Sequence, residues 1–336
     1  MTRVFVTGTA GFIGYHLAEA LLAEGMVVHG YDGMTPYYDV GLKRARHARL
    51  ARHGRFTPTE AMLEDAGALR AAMDAAAPEV VVHLAAQAGV RYSVEAPRAY
   101  LDANVIGTFN VMEAARAHPV RHLMMASTSS VYGANTDMPF AETDKADLQM
   151  SVYAATKKAT ESMGHAWAHL NGVPTTMFRF FTVYGPWGRP DLALFRFVDA
   201  ILQGRPIDIY NHGQMYRDFT YVGDLVRALR LLMDTAPPPP GEAAAIEGDS
   251  LSPVAPFRIV NIGNSQKVRL MDFIEAIEAE LGREAIRNYM DMQPGDVPAT
   301  WADATLLRRL TGYAPQTDLR DGIAAFVAWF RDYHGR

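Results

Sequence analysis

Apolar residues fall in short unbroken runs through the first half of the chain, separated by longer stretches with helical spacing. That is the pattern of strands buried on both faces and alternating with amphipathic helices. Arg3-Val-Phe-Val-Thr7 reads as the first strand, Gly8-Thr-Ala-Gly11-Phe-Ile-Gly14 as the turn behind it, and the residues to about Glu24 as a helix. Val27-Val-His-Gly-Tyr31 reads as the second strand, ending at Asp32, Val80-Val-Val-His-Leu84 as the fourth, His122-Leu-Met-Met-Ala126 as the fifth and Thr175-Thr-Met-Phe-Arg-Phe180 as the sixth. Long helices are expected near 98 to 117 and 150 to 170. Such alternation predicts an α/β protein with a doubly wound parallel sheet. After Gly185 the pattern becomes irregular, with helices near 192 to 203, 222 to 234, 270 to 281 and 318 to 333 between short strands. The expected division is a sheet domain over 1–184 and a smaller, mixed α/β carboxy-terminal lobe over 185–336, with some chain crossing between them. Pro237 to Pro256, rich in Ala, Pro, Gly and Ser, is expected to be a flexible surface loop. No internal repeat is present.

The glycines of the first turn bring in chemistry. A backbone that approaches a pyrophosphate has no room for side chains, and the helix start behind it offers free N–H groups and a positive dipole end. Gly8, Gly11 and Gly14, placed after a strand and opening a helix, therefore predict a Rossmann dinucleotide site. Asp32 lies about twenty residues on, where an acid accepts from both ribose hydroxyls; this favours NAD, while Lys43, Arg44 and Arg46 downstream leave NADP open. Ala126-Ser-Thr-Ser-Ser-Val-Tyr-Gly133 follows the fifth strand, so its hydroxyls are expected at the carboxyl ends of the strands, where ligands of such sheets bind. Tyr153 and Lys157, four residues apart on a predicted helix, share a face. A nearby cation stabilises a phenolate, and lowering a tyrosine pKa by about 3 units takes roughly 4 kcal/mol of differential stabilisation. Alone the pair is also what an exposed helix offers by accident; the glycine turn and the hydroxyl cluster make acid/base work the better reading.

Composition narrows the field. The 336 residues are enough for a large core and a second lobe, and a net charge of -5 without a long basic stripe argues against a nucleic-acid protein. There are no cysteines, which excludes disulfides, cysteine nucleophiles and thiolate metal sites. The eleven histidines are scattered, with no pair at ligand spacing beside a carboxylate cluster, so no metal is expected. No apolar span of about 20 residues and no signal-peptide pattern occur, and the expectation is a cytoplasmic protein with no membrane partner.

Several longer segments carry a resemblance: Thr7 to Gly14, Tyr37-Tyr-Asp-Val-Gly-Leu-Lys43, His83-Leu-Ala-Ala-Gln-Ala-Gly-Val-Arg-Tyr-Ser93, Tyr153 to Lys157, Arg179-Phe-Phe-Thr-Val-Tyr-Gly-Pro-Trp-Gly-Arg-Pro-Asp191, Arg217-Asp-Phe-Thr-Tyr221 and Met292-Gln-Pro-Gly-Asp-Val-Pro-Ala299. Over nearly its whole length the chain resembles the extended short-chain dehydrogenase/reductase superfamily and, within it, the UDP-glucuronate 4-epimerases. The resemblance implies a UDP-sugar substrate, NAD as cofactor, a UDP-sugar-binding second lobe and a homodimer. For catalysis it implies Thr128, Tyr153 and Lys157. For the cofactor it implies Gly8, Gly11, Phe12, Ile13, Gly14, Asp32, Leu63, Leu84, Ala85, Ala86 and Asn104, together with Tyr153 and Lys157. For the substrate it implies Thr128, Ser129, Ser130, Thr182 and Arg189 around the sugar acid, Arg217 on the diphosphate and Asp296 on the uridine ribose. The plainer readings of Arg217 as a surface cation and Arg189 as a solvated loop cation stand beside these. The dimer would pair the helices near 98 to 117 and 150 to 170; Val105, Phe109, Met112, Met163 and Trp167 there are equally suited to the core.

The chain departs from that pattern in places. Thr35-Pro36 stands where Asn-Asp usually precedes Tyr-Tyr-Asp, Gly33-Met34 follows the ribose acid, and Met62-Leu63 replaces an Asp-Leu whose acid faces the adenine amino group. Other enzyme readings are a UDP-glucose 4-epimerase, a UDP-glucuronate decarboxylase or, more remotely, a 4,6-dehydratase, although the latter place Asp-Glu where Ser129-Ser130 stand here. A non-catalytic NAD-sensing protein is the reading from another class, against which intact Thr128, Tyr153 and Lys157 count.

Overall fold

The computed structural model describes the whole chain except residues 243–245, 294 and 336. Seven parallel strands form one sheet in the order Phe257–Ile262, Thr175–Phe180, His122–Ala126, Val80–His83, Arg3–Thr7, Val27–Asp32 and Phe56–Glu60. The chain winds outward from Arg3–Thr7 through two strands on one side, then crosses back to Val80–His83 on the other. Thr7 is therefore flanked by Tyr31 and His83, and the crevice of the sheet opens at the carboxyl ends of those strands, where the winding reverses.

Alternate residues of the central strands serve the two layers. Val4, Val6, Val28, Val80 and Val82 pack with Leu17, Leu21 and Leu22 of the helix Phe12–Ala23, and Phe5, Tyr31, Val81 and Leu123 pack on the other face with Leu69, Met73, Val111 and Met112. Several elements cross the division expected at residue 184, among them the helix Thr305–Thr311, whose Leu306 and Leu307 lie in the first of these layers. The helix Val222–Leu232 lies in the first of these layers through Leu225, Leu229 and Leu232, and Phe257–Ile262 extends the sheet. A separate core gathers Phe197, Val198, Ile209, Phe219, Phe273, Ile274, Ile277, Phe326 and Phe330, and Val268–Arg269, Tyr216–Arg217 and Ala299–Thr300 form one small sheet.

Two expectations change. The helix expected near 98 to 117 is Pro97–Tyr100, a wider π-helical stretch Leu101–Ile106, then Gly107–Arg116. A Cβ on Gly107 would lie 2.7 Å from the Leu63 Cβ, so the glycine lets this helix close on Leu63. The loop Pro237 to Pro256 is also not wholly at the surface. Residues 243–245 lie outside the described residues, but Ala255 is buried in the sheet core, Ser252 is buried, and Asp249 pairs with Arg258 at 2.9 Å. Backbone there is held because the edge strand Phe257–Ile262 follows directly.

Candidate active-site cleft

Gly8 adopts φ +82°, and a Cβ there would lie 2.9 Å from the Ala85 backbone nitrogen. A Cβ on Gly14 would come 2.0 Å from the Gly8 carbonyl oxygen. The turn is thus stripped of side chains by necessity, and the helix Phe12–Ala23 starts on it with no side-chain cap. Its free N–H groups face the cleft, a fit to a diphosphate. Buried Asp32 accepts from Ala10 N and Met34 N, each at 2.9 Å, which ties the ribose acid to the turn while leaving lone pairs on both oxygens. Of the basic residues downstream, Arg44 pairs with Glu60 at 2.6 Å. Arg46 is fully buried, with its Nη1 donating to Ala10 O and Tyr38 Oη and its Nη2 to Trp187 O. Both are committed away from a 2′-phosphate.

One cleft of about 480 Å³ collects nearly every residue singled out in the sequence. Gly8, Gly11, Phe12, Ile13, Gly14, Asp32, Leu63, Leu84, Ala85 and Ala86 line it, as do Thr128, Ser129, Ser130, Tyr153, Lys157, Thr182, Arg189, Arg217 and Asp296. Asn104 is the exception. It is fully buried behind the wall, where its Oδ1 accepts from Gln87 N at 2.8 Å and its Nδ2 donates to Gln87 O and Thr156 Oγ1. Asn104, in the π-helical stretch, thus braces Gln87, itself a cleft-lining residue.

Ser151 Oγ caps the helix Val152–Asn171 by accepting from Ala154 N at 3.1 Å, and this fixes Tyr153 in its first turn. Burial pushes the Tyr153 phenol above its ordinary value, while the Thr128 hydroxyl and the Arg189 charge pull the other way. Burial also pushes Lys157 down, to about 8, against the pull of Glu161 one turn further on. Desolvation is the largest influence on Tyr153 in the free protein. Beneath them Glu161 accepts from Ser127 Oγ at 2.6 Å and from Arg179 Nε and Nη2, both at 2.9 Å, with both charged side chains almost wholly buried. Burial opposes ionisation of Glu161, yet the Arg179 contact holds it below the usual carboxylate range.

Arg189 is partly buried and already paired. Its Nε and Nη2 meet both oxygens of Asp191 at 3.0 and 2.6 Å, and Tyr37 Oη donates to the same carboxylate at 3.4 Å. Burial opposes the charge on Arg189, but Asp191 keeps its pKa above the ordinary value. At the far end Arg217 donates to Tyr216 O and Val297 O, each at 2.8 Å, and burial pushes it below its ordinary value with Asp296 opposing. Asp296 itself pairs with Arg91 at 2.9 Å, and Arg91 stacks over the Tyr210 ring at 4.1 Å. Arg91, Glu161 and Asp191 were not singled out from the sequence. Arg91 and Asp191 lie inside quoted motifs, whereas nothing local marks the partnership of Glu161 and Arg179. Among the described residues no group of His, Asp or Glu could hold a metal ion.

A family model described as "NAD dependent epimerase/dehydratase family" matches residues 4–245. The chain is similar to a probable UDP-glucuronate 4-epimerase of Rhizobium meliloti (strain 1021), with 56% identity over 99% of this chain and 98% of that one. It is similar in structure to the UDP-glucuronic acid 4-epimerase of Bacillus cereus solved in complex with UDP-glucuronic acid and NAD, with a TM-score of 0.87, 30% identity, and 98% of this chain and 99% of that one covered. A UDP-glucose 4-epimerase of Thermotoga maritima solved with UDP-glucose matches at a TM-score of 0.85 and 27% identity, over 98% of this chain and 99% of that one.

Proposed function

The chain belongs to the NAD dependent epimerase/dehydratase family, and from that premise we propose that it epimerises UDP-glucuronate at carbon 4 to UDP-galacturonate through a transient 4-keto sugar. The observation that carries the reading is the single cleft running from the Gly8–Gly14 turn, past Thr128 and Tyr153, to Arg217 and Asp296. A dinucleotide end, an acid/base pair and an anion-holding end side by side are what this reaction requires, and the lining of the cleft supports that reading.

NAD, held by the glycine turn, Asp32 and the wall of Leu63, Leu84, Ala85 and Ala86, supplies the hydride acceptor and donor for carbon 4. Tyr153 Oη takes the proton of the sugar 4-hydroxyl as that oxygen becomes a carbonyl, and returns it in the second half-reaction. Thr128 Oγ1 holds the same oxygen, and Lys157, cationic at neutral pH, stabilises the phenolate once the cleft is filled. Arg217 on the diphosphate and Asp296 on the uridine ribose anchor the nucleotide while the 4-keto hexose turns its other face to the reaction centre. Residues 1–184 serve as the NAD-binding part and 185–336 as the UDP-sugar lobe, with the crossings described above.

The 4-keto form of a glucuronate is a β-keto acid and loses carbon dioxide whenever its carboxylate bond aligns with the carbonyl. With Arg189 paired to Asp191, the hydroxyls of Ser129, Ser130 and Thr182 become the main restraint on the carboxylate. With NAD supplied, Thr182→Val is expected to release UDP-4-keto-pentose and carbon dioxide from UDP-glucuronate, with the hydride left as one NADH per carbon dioxide, at a rate readily resolved beside epimerisation. Clean epimerisation by this variant in a chromatographic assay would remove the hydroxyl from that role.

The function itself is tested by incubating purified protein with UDP-glucuronate, UDP-glucose and their galacto epimers and resolving the products by chromatography. Interconversion of the two uronates far faster than of the two neutral sugars is expected; equal rates would move the assignment to a UDP-glucose 4-epimerase. No interconversion of any pair would leave a nucleotide-binding protein.

We also propose a homodimer in the cytoplasm. Leu101, Ile106 and Phe109 are 48%, 49% and 40% exposed along one helical segment and Leu170 is 75% exposed on Val152–Asn171, an apolar surface suited to a second copy. Met112, in contrast, belongs to the core. Light scattering is expected to give twice the chain mass at micromolar concentration, and a monomer there would end the proposal. No helix among the described residues is long and apolar enough to cross a membrane.

A further inference from the structure

We propose that Glu64 reads the adenine of the bound dinucleotide, its carboxylate accepting the exocyclic amino group in place of the acid that Met62 displaces. The inference rests on the NAD reading above and adds a specificity residue to it.

The register sets where the base lies. Asp32, the ribose acid, sits opposite Glu60 of the edge strand Phe56–Glu60, so the residues just after that strand form the wall next to the ribose, on the side away from the Gly8 turn. Met62, Leu63 and Glu64 are that wall, and all three line the cleft. Met62 lies against Gly33, where a Cβ would be 2.5 Å from its Sδ. Its thioether gives an apolar surface there and only a weak acceptor. Leu63 is buried against Gly107.

A purine amino group needs an acceptor, and the backbone acceptors of this wall are already used. Met62 O accepts from Tyr31 Oη at 2.9 Å and from Asp65 N, Leu63 O accepts from Asn110 Nδ2 at 2.9 Å, and Glu64 O accepts from Ala66 N. Glu64 Oε2, in contrast, is shut off from solvent and has no hydrogen-bond partner. A carboxylate oxygen left unsatisfied in a ligand cleft has lost its water without replacement, and a donor supplied by a ligand relieves that cost. The Asp65 N to Met62 O bond closes a turn over residues 62 to 65. Glu64, inside that turn, lines the same cleft as Met62.

The test sets NAD against nicotinamide hypoxanthine dinucleotide, which carries an oxo group in place of the purine amino group. Purified protein is equilibrated with an excess of an equimolar mixture of the two, gel-filtered and denatured, and the released nucleotides are separated by chromatography. The unaltered protein is expected to retain NAD over the hypoxanthine form by about tenfold or more, the scale of a hydrogen bond to a charged acceptor. Glu64→Gln, whose amide can donate to an oxo group, is expected to bring the ratio within about twofold of unity, and Glu64→Ala to reduce NAD retention at limiting concentration by about tenfold. An identical ratio in the unaltered protein and Glu64→Gln, or a ratio of unity in the unaltered protein, would overturn the role of Glu64 while leaving NAD binding intact. Recovery of neither nucleotide would instead overturn the dinucleotide reading on which it rests.

Discussion

Replacing Tyr153 by phenylalanine is expected to lower the epimerisation rate by at least about 100-fold, the usual scale of losing a positioned acid/base group, while UDP-sugar affinity stays within a few-fold. Only the proton-carrying oxygen is removed. The phenyl ring keeps its place in the first turn of Val152–Asn171, edge-on to Tyr100 with ring centroids 6.0 Å apart. The pH profile follows from the charges. Burial holds the phenol protonated in the free protein, so the active base form grows as pH rises, and any cation beside it moves that rise to lower pH. Lys157→Met should therefore displace the rise toward alkaline pH. Steady-state rates over a pH series check both variants; near-normal turnover without the Tyr153 oxygen, or an unchanged profile without Lys157, would refute the corresponding role.

Glu161→Ala is expected to destabilise the fold by about 3–5 kcal/mol, because it leaves the Arg179 guanidinium charged and unpaired between helix and sheet. Arg179 is 1% exposed and Glu161 2% exposed, so water cannot take the lost partner's place without opening the core. The remaining contacts of Arg179, a 3.3 Å bond to the Glu142 carbonyl and the Tyr132 ring at 4.6 Å, do not neutralise its charge. Loss should also reach the cleft, since Glu161 accepts from Ser127 next to Thr128 and lies one turn from Lys157. Denaturant unfolding measures the effect. Glu161→Met combined with Arg179→Met should recover most of the lost stability, since an apolar pair carries no desolvation cost, although the Ser127 hydroxyl loses its acceptor in both. Single and double variants with the midpoint of the unaltered protein would show that the pair carries little stability.

The two effects separate chemistry from scaffold. In the proposed mechanism Tyr153 acts on the substrate and loss of its oxygen should leave the fold alone, whereas Glu161 is bonded to Ser127 and Arg179 beneath the cleft. A kcat loss with unchanged unfolding marks the first, and a shifted unfolding midpoint marks the second.

Local backbone demands were legible along the chain. A turn that must accept a diphosphate excludes side chains, and that requirement is written in Gly8, Gly11 and Gly14 within seven residues. Four-residue helical spacing put Tyr153 and Lys157 on one face, and buried runs such as Val80 to His83 announced parallel strands. Motif resemblance carried the substrate end, because Arg217 and Asp296 belong to segments whose order repeats across a family. What the tertiary structure alone decided depends on which distant segments the core brings together. Arg91 meets Asp296 across 205 positions, Arg179 finds Glu161 only because a strand and a helix stack, and Phe257–Ile262 joins the far edge of the sheet after a long detour. Side-chain direction was equally hidden. Asn104, in a π-helical stretch, bonds Gln87 and Thr156, Asp191 folds back on Arg189, and the turn after an edge strand brings Glu64 to the cleft. Spacing along a chain reports the period of one element, but these contacts depend on how separate elements dock, and docking is set by the whole core.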